Sequence, residues 1–579
     1  MPAPLTAAFA DLWPRALAEL SLPLILGCAA LALAWLLPGH YLPWTLFQQE
    51  TCAAVAGLLI CLAVIQSRSP IHWPPVAWVA AAAAALPWLQ FACGQIRFLD
   101  DAVLPSAYLL ALAMAVGAGA SLARSRLLPP LVEGLTGAFV AAAVLSTGIA
   151  LHQWLDLPPV GDWIAQAPPW ERPYANLSQP NHLSSALALG LAGVLRWYET
   201  RRIGAGACLL AVAWLAWGIA LTQSRTGWLF ILLLGAGCLL LRRRARLQTP
   251  PLAASGGLLA FAAMVLLNGP LKALWLQSSE AALAVRTEAG TRLLHWQALA
   301  DAALQSPWFG YGWNQVTHAQ YDVVLTHPAS GENVAHSHNL VLDLILYNGM
   351  PLAALMVLGL AAWVLRAVRE CRDGSTWCLL AALLALLTHA MLEYPLHYFY
   401  FLLPAGLLVG VLDAPAHAGE RASSRAPRAT FWVPTLLMSA LLIWVGVEYM
   451  RAEEALRRLR FASARIGITL ADLRSPDLVL LQGWKSYHDA ALIKLREGMA
   501  AEELALLRDI ARRYSYPPAL QRYAYALALN GDRGQARKVL ARMCKIYPEP
   551  VQGAMREAWG EQQAKTPSLR AVDFPDCTG

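Results

Sequence analysis

Charge is what this sequence has least of. Of its 579 residues, 14% are Asp, Glu, Lys or Arg and 58% are hydrophobic, and the mean hydropathy is +0.45. A soluble globular fold has no use for so much apolar surface, so the composition excludes that class and points to a chain that crosses a membrane several times. Period-2 alternation is missing from the apolar runs, which argues against an outer-membrane barrel and for helices. The ten cysteines form no CxxC and no zinc spacing. Most lie inside apolar runs, where a thiol is a small buried residue, so cysteine chemistry is not expected to be the function. A cleavable signal peptide is not expected: Asp11 and Glu19 fall within residues 1–20, and no small-residue cleavage site follows the first apolar run. The net charge of +7 comes from arginines in connecting segments rather than from a nucleic-acid patch.

What is present is a series of apolar runs. A bilayer-spanning helix needs roughly 20 mostly apolar residues, and by that measure the chain offers about thirteen spans. They lie near 20–37, 51–66, 75–91, 103–121, 131–152, 183–196, 205–221, 226–241, 253–268, 338–366, 376–393, 398–412 and 431–448. Pro87 sits inside the third. The tenth is interrupted at Asn348-Gly349-Met350-Pro351, where proline removes a backbone donor and a kink is expected. The expected fold class is all-α, a polytopic helical membrane protein with a soluble helical tail. Its regions are membrane helices over 1–268, a large outer loop over 269–337, further membrane helices over 338–448 and the tail over 449–579. In the tail, Tyr523–Leu529, the Asn530-Gly531 turn and Gln535–Leu540 read helix, turn, helix, which resembles one tetratricopeptide (TPR) hairpin. Residues 413–430 form a polar linker rich in Ala, Ser and Arg.

Lysine and arginine favour cytoplasmic loops. Arg242-Arg243-Arg244 with Arg246 place the connection after the eighth span in the cytoplasm. Alternation then puts Arg15, Arg68, Arg124, Arg126, Arg196, Arg201, Arg202, Arg366–Arg372 and Arg421–Arg428 on the same side. The opposite loops carry only isolated cations: Arg97, Arg172, Arg225, Lys272, Arg286 and Arg292. The amino terminus is expected inside and the tail outside. Arg451, Arg457, Arg458 and Arg460 run against that placement, although long translocated domains largely escape the rule.

Polar residues gather on the outer connections. The longest, from Arg286 to Asn348, carries Arg292, His295, His318, His327, His336 and His338. His336-Ser337-His338-Asn339 opens the tenth span. Its structural reading is a helix cap made by Ser337 or Asn339; its functional reading is a base or donor at the membrane surface, where imidazole titrates near neutral pH. Two histidines two positions apart do not share a helical face and need not share a role. Arg225 lies between two spans with barely a loop around it, where snorkelling and anion binding are the competing readings. With Arg292 it would suit a pyrophosphate. Gln179-Pro180-Asn181-His182 introduces the sixth span, with proline ordinary at a helix entrance. Tyr394 follows Glu393 at the end of the eleventh span and reads by itself as an interfacial belt residue. Asp100-Asp101 lacks neighbouring ligands and reads as solvated rather than as a metal site. Trp170, Trp308 and Trp313 lie in outer loops, where rings can stack on sugars.

Taken together, these residues carry a family resemblance. Asn176-Leu177-Ser178-Gln179-Pro180-Asn181-His182 resembles the signature of bacterial protein O-oligosaccharyltransferases of the PglL type. Arg292 and Trp296, Pro307-Trp308-Phe309-Gly310-Tyr311-Gly312 and His336-Ser337-His338-Asn339 are similar to the core of the Wzy/O-antigen ligase superfamily, and Glu393-Tyr394-Pro395-Leu396-His397 fits the protein-transferase branch. The resemblance runs over about residues 20–560, and it is the combination of QPNH, HSHN and EYPLH that is specific. It implies transfer of a preassembled oligosaccharide from undecaprenyl-pyrophosphate to a Ser or Thr hydroxyl, commonly on a pilin, at the periplasmic face of the inner membrane. By motif position it implies His338 as the essential histidine, with Gln179 and Tyr394 as companions. Arg225 and Arg292 would bind the donor pyrophosphate, and His336, Asn339, Asn181 and His182 would support them. Neither metal nor other cofactor is implied, and the partners are the lipid-linked glycan, an acceptor protein and membrane lipid, not nucleic acid. The nearest alternatives are an O-antigen ligase acting on lipid A–core and an O-antigen polymerase. A transporter with an outer docking domain is the rival from another class, disfavoured because the ionisable residues gather at the outer rim and form no chain through the spans.

Overall fold

The computed structural model describes residues 21–167, 171–276, 291–414 and 424–577. Arg15, Trp170, Arg286, the region 277–290 and half of the 413–430 linker, with Arg421, lie outside the described residues, as do Asp11 and Glu19.

Nearly every element is a helix, as the apolar runs imply. In chain order these are α1 (Leu22–Leu36), α2 (Phe47–Gln66), α3 (Pro75–Ala83), α4 (Leu86–Ala92), α5 (Asp100–Ala123), α6 (Leu128–Trp154), α7 (Pro180–Glu199) and α8 (Ala205–Leu221). There follow α9 (Arg225–Leu240), α10 (Pro251–Leu276), α11 (Arg292–Gln305), α12 (Val316–Val323), α13 (Leu340–Asn348), α14 (Met350–Glu370), α15 (Gly374–Ala390), α16 (Phe399–Asp413) and α17 (Ala429–Ser463). The tail adds α18 (Gln482–Leu492), α19 (Ala501–Tyr514), α20 (Pro517–Leu529), α21 (Arg533–Ile546) and α22 (Glu549–Lys565). The two strands described, Ile71–Trp73 and Ser424–Ala426, pair antiparallel with Ile71 opposite Ala426.

Seven described segments are long and apolar enough to cross a membrane: Phe47–Gln66, Pro75–Ala92, Asp100–Ala123, Leu128–Trp154, Pro251–Trp275, Met350–Glu370 and Ala429–Ser463. Shorter apolar helices are α1, α8, α9, α15 and α16. The protein is therefore a multi-pass membrane protein. The expected sixth span, α7, is in neither group: its sequence opens with Asn181, His182, Ser184 and Ser185, and all four are buried against protein rather than presented to lipid.

The chain divides into two compact units. The first holds Met1–Ala83, Tyr108–Thr287 and Ala362–Leu442; the second holds Ala84–Ala107, Glu288–Ala361 and Ile443–Gly579. In the first, α7 packs along α6 through small residues, the means by which helices approach closely where the hydrophobic effect does not drive them together. A Cβ on Gly190 would stand 2.3 Å from that of Ala143.

In the second unit the expected interruption of the tenth span is real: α13 ends at Asn348 and α14 begins at Met350. Gly349 between them has φ +79°, and the Pro307–Gly312 segment locks into the break. Met350 N donates to Pro307 O at 2.7 Å and Tyr311 N to Leu346 O at 2.6 Å. Gly310, at φ +69°, could not carry a Cβ, which would lie 2.3 Å from Leu346 O; one on Gly349 would lie 2.2 Å from Trp308 O.

The second unit also corrects one expectation. Asp100 and Asp101 are not solvated; they are 7% and 2% exposed. Arg513 of α19 donates to both oxygens of Asp101 at 2.6 and 2.8 Å, Gln315 Nε2 donates to Asp101 at 3.0 Å, and Gly483 N donates to Asp100 at 3.0 Å. The partners come from parts of the chain that no local reading joins to this pair, and a buried carboxylate stays ionised only with such a partner.

Candidate active site

In the first unit, three connections between helices meet in one buried polar network. Gln179 caps α7, its Oε1 accepting from His182 N at 2.8 Å, with Pro180 at the first helical position. Asn181 follows, 5% exposed. Its Nδ2 donates to Glu393 Oε1 at 2.9 Å, and its Oδ1 accepts from Ser224 Oγ at 2.7 Å. Ser224 in turn caps α9, so the backbone that begins with Arg225 is tied through one serine to Asn181. Glu393 is 3% exposed and precedes Tyr394 directly.

His182 is enclosed by aromatic rings. Its Nδ1 lies 3.0 Å from Tyr400 OH, and its ring centroid is 4.6 Å from that of Tyr398 and 6.4 Å from that of Tyr394. Deeper along α7, Ser185 Oγ is 2.7 Å from His389 Nδ1. Nearby, Glu50 is buried and accepts from Tyr108 OH and from Phe399 N. Of the predicted residues, Gln179, Asn181, His182, Tyr394 and the Arg225 backbone thus fall into one neighbourhood.

The other predicted residues, Arg292, His336, His338 and Asn339, belong to the second unit. His338 has φ +58°, the left-handed region, which costs a residue other than glycine roughly 1–2 kcal/mol and persists only where neighbours over-determine it. They do. Ser337 is fully buried; its N–H donates to Asp343 Oδ1 at 2.7 Å, its hydroxyl to Asn339 O at 2.9 Å, and its carbonyl accepts from Trp296 Nε1 at 2.8 Å. Asn339 caps α13 by accepting from Val341 N and Leu342 N at 3.0 and 3.1 Å. The capping reading of this motif therefore holds for Asn339, and it serves to pin the backbone of the half-buried histidine before it. His336 Nδ1 lies 3.2 Å from Tyr347 OH.

Arg292 starts α11, and the first turns of that helix are tied to the histidine segment at Glu332 as well as at Ser337. Thr291 Oγ1 donates to Glu332 Oε2 at 2.9 Å, and His295 Nε2 lies 3.2 Å from the same oxygen. The hydrogen bond from His295 holds the Glu332 carboxyl below its ordinary pKa, with Thr291 adding to the effect against partial burial. The segment is also strapped to the tail. Ser330 N and Gly331 N donate to Lys545 O at 3.0 and 3.2 Å, and Asn333 Nδ2 donates to Tyr514 O at 2.9 Å. In α12, Arg512 pairs with Asp322 at 2.8 Å, and Arg542 stacks 4.2 Å over Tyr321 while donating to its carbonyl.

Sequence reading missed Glu332, Asp343, Ser224 and His389 as members of these networks. A signal existed for two of them: Asp343 and His389 are lone ionisable residues inside apolar runs, where such residues are costly and functional by default. Nothing local marks Glu332 or Ser224. The Cys544–Cys577 disulfide, 33 residues apart, was also not anticipated.

A buried hydrogen-bonded network below aromatic rings, and a histidine pinned in a strained backbone, are the furniture of a membrane enzyme. Residues 209–357 match the O-Antigen ligase family, and residues 377–560 match the family described as virulence factor membrane-bound polymerase, C-terminal. The chain is 30% identical over 546 residues to a general O-oligosaccharyltransferase of Acinetobacter baylyi, covering 90% of this chain and 92% of that protein. It is 25% identical over 332 residues to a ComP-specific O-oligosaccharyltransferase of the same organism, covering 56% of this chain and 59% of that one. The chain belongs to the bacterial O-oligosaccharyltransferases of the O-antigen ligase superfamily. Its activity is accordingly that of a glycosyltransferase.

Proposed function

We propose that this enzyme moves a preassembled oligosaccharide from undecaprenyl-pyrophosphate to Ser or Thr hydroxyls of periplasmic proteins, pilins among them, at the outer face of the inner membrane. A serine hydroxyl is a poor nucleophile near neutral pH and needs a positioned base; His338 takes its proton as the glycosidic bond forms. The pyrophosphate leaves with growing negative charge, which Arg292 and Arg225 stabilise, donors of this kind being worth roughly 3 kcal/mol each. Gln179 and Tyr394 are carried over as companions through the motifs they occupy, with Asn181, His182, His336 and Asn339 in support. The observation that carries the reading is the left-handed backbone of His338, held by both its neighbours.

The outward orientation is supported by the arginine-rich opposite loops and by the tail disulfide, since disulfides persist in oxidising compartments. About thirteen spans are proposed, by counting the five shorter apolar helices and α7 as crossings beside the seven long segments. The hairpin of α20 and α21, turning at Asn530-Gly531, supports a TPR-like tail, and the straps from it to the histidine segment support a role in fixing that segment.

The test is transfer in proteoliposomes with lipid-linked glycan and a pilin acceptor. His338→Ala is expected to abolish transfer while the protein remains folded. His338→Gly, unstrained at this φ, is expected to fold at least as stably and to be equally inactive. Turnover by either at the wild-type rate removes the histidine from the mechanism. The O-antigen ligase match favours lipid A–core as the second acceptor reading. Mass spectrometry of periplasmic proteins and of lipopolysaccharide, with and without the gene, separates the two: the acceptor that loses its sugar is the substrate.

A further inference from the structure

The second unit holds a cavity of about 430 Å³ that the transfer reaction does not use, lined by Met450, Arg451, Arg458, Arg474, Pro476 and His488 among others. Its place in the fold is unusual. Helix α17 has 35 residues, and a bilayer takes roughly 20, so its last turns project beyond the membrane. Glu448 marks the boundary: buried, it accepts from the backbone N–H groups of Val479, Leu480 and Leu481 and from Trp444 Nε1. Around it Trp444, Val447, Met450 and Val479 are about half exposed or more, an apolar and indole collar of the kind found at a membrane surface. The cavity begins within one turn of that collar, since Met450 and Pro476 lie two and three residues from Glu448 and Val479 in sequence.

Its rim is cationic and weakly engaged. Arg451 donates to Asp477 O at a long 3.4 Å and reaches the Asp477 carboxylate, 93% exposed, only at 3.8 Å. Arg458 has one long contact, 3.5 Å to Asp472 O. Arg474 forms no hydrogen bond or ion pair among the described residues. Glu454, which also lines the cavity, is already taken by two hydrogen bonds from Arg457, both 2.8 Å. At the wall, His488 is 1% exposed, and its Nδ1 has no hydrogen-bond partner. A buried ring nitrogen without a partner is a rare and costly state that a ligand would relieve. Met450, Leu473 and Pro476 supply apolar wall between the guanidinium groups.

We propose that this cavity binds the phosphate of an anionic phospholipid in the leaflet on the tail's side of the membrane. Guanidinium groups match phosphate oxygens in pairs, the apolar wall suits the glycerol and first methylenes, and the level of the cavity is that of headgroups. The site also accounts for Arg451 and Arg458, cations that run against the charge rule for an outer segment: they face lipid phosphate instead of reporting sidedness.

The experiment uses the full-length protein and needs no glycan. Retention of phosphatidylglycerol against phosphatidylcholine is measured by native mass spectrometry and by titration in nanodiscs, with and without millimolar inorganic phosphate. Wild-type protein is expected to retain phosphatidylglycerol preferentially. Removing the three charges together (Arg451→Gln, Arg458→Gln, Arg474→Gln) is expected to weaken that retention at least ten-fold. Ala455→Leu, which keeps every charge and fills the cavity, is expected to do the same and guards against misfolding of the triple variant. Removing three charges elsewhere (Arg533→Gln, Arg537→Gln, Lys538→Gln) is expected to leave retention unchanged. Equal loss in this last variant, or no loss in the first two, overturns the proposal. Competition by inorganic phosphate with no preference between the two lipids assigns the cavity to free phosphate and overturns the lipid.

Discussion

His338 illustrates how one residue's chemistry is bought with backbone geometry. Its neighbours are heavily committed: Ser337 uses its N–H, hydroxyl and carbonyl, and Asn339 caps the helix. Asp343 is the quiet member of this set. Removing its carboxylate leaves the buried Ser337 N–H without an acceptor, and Asp343→Ala is expected to lower kcat for transfer at least ten-fold with donor KM within about two-fold, while Asp343→Asn, which keeps an acceptor oxygen, recovers most of the rate. A rate for Asp343→Ala equal to wild type would show that the histidine is held by other means. His318 makes a second residue-scale prediction. Burial, with Arg512 beside it, pushes its pKa from 6.5 down to about 4, against the pull of Asp322. The folded state therefore resists protonation that the unfolded chain accepts. Stability contributed by the neutral ring is complete above about pH 6.5 and is lost as pH falls toward 4, by at most about 1.4 kcal/mol per pH unit. His318→Gln is expected to flatten the fall of the thermal midpoint across that window and to change nothing at pH 8.

Among the elements, α19 matters most, because it anchors the tail to two other parts of its unit. Arg513 reaches Asp101 and Arg512 reaches Asp322. The Asp101 carboxylate is nearly inaccessible, so Arg513→Met would strand a buried charge and is expected to destabilise by about 3–5 kcal/mol. Pairing it with Asp101→Leu is expected to restore most of that loss, as read by thermal unfolding in detergent. Additive losses would mean the two residues do not depend on each other. This is also where sequence reading reached its limit. The interruption at Asn348-Gly349-Met350-Pro351 was legible because proline and glycine act on their own backbone. The QPNH, HSHN and EYPLH motifs were legible because the residues that carry them are contiguous. Asp100-Asp101 was misread because its partner arrives 412 residues later, and Glu332 was passed over because its partners, Thr291 and His295, lie across a turn of chain that has no periodicity to reveal it.

At the scale of the whole molecule, composition alone established a helical, multi-pass membrane protein, and a relative over nine-tenths of the chain places it among O-oligosaccharyltransferases. Composition also led away from cysteine chemistry, yet the tail carries a disulfide between Cys544 and Cys577. Closing a loop of 33 residues is worth roughly 3–4 kcal/mol in the chain-entropy account. Cys544→Ser with Cys577→Ser is expected to leave the membrane helices intact while hastening proteolysis between α21 and the C-terminus, and the wild-type pair should resist maleimide labelling until reduced. Ready labelling of both thiols in unreduced protein would argue for a tail on the reducing side.

The interlock of Gly310 with Leu346 and of Gly349 with Trp308 has a bearing on chimeras between relatives with different acceptors. A crossover placed between these two glycines would set one parent's loop against the other parent's helix break, where no atom can be added on either side. Exchanged blocks should therefore carry residues 306–350 whole, with cut points outside them.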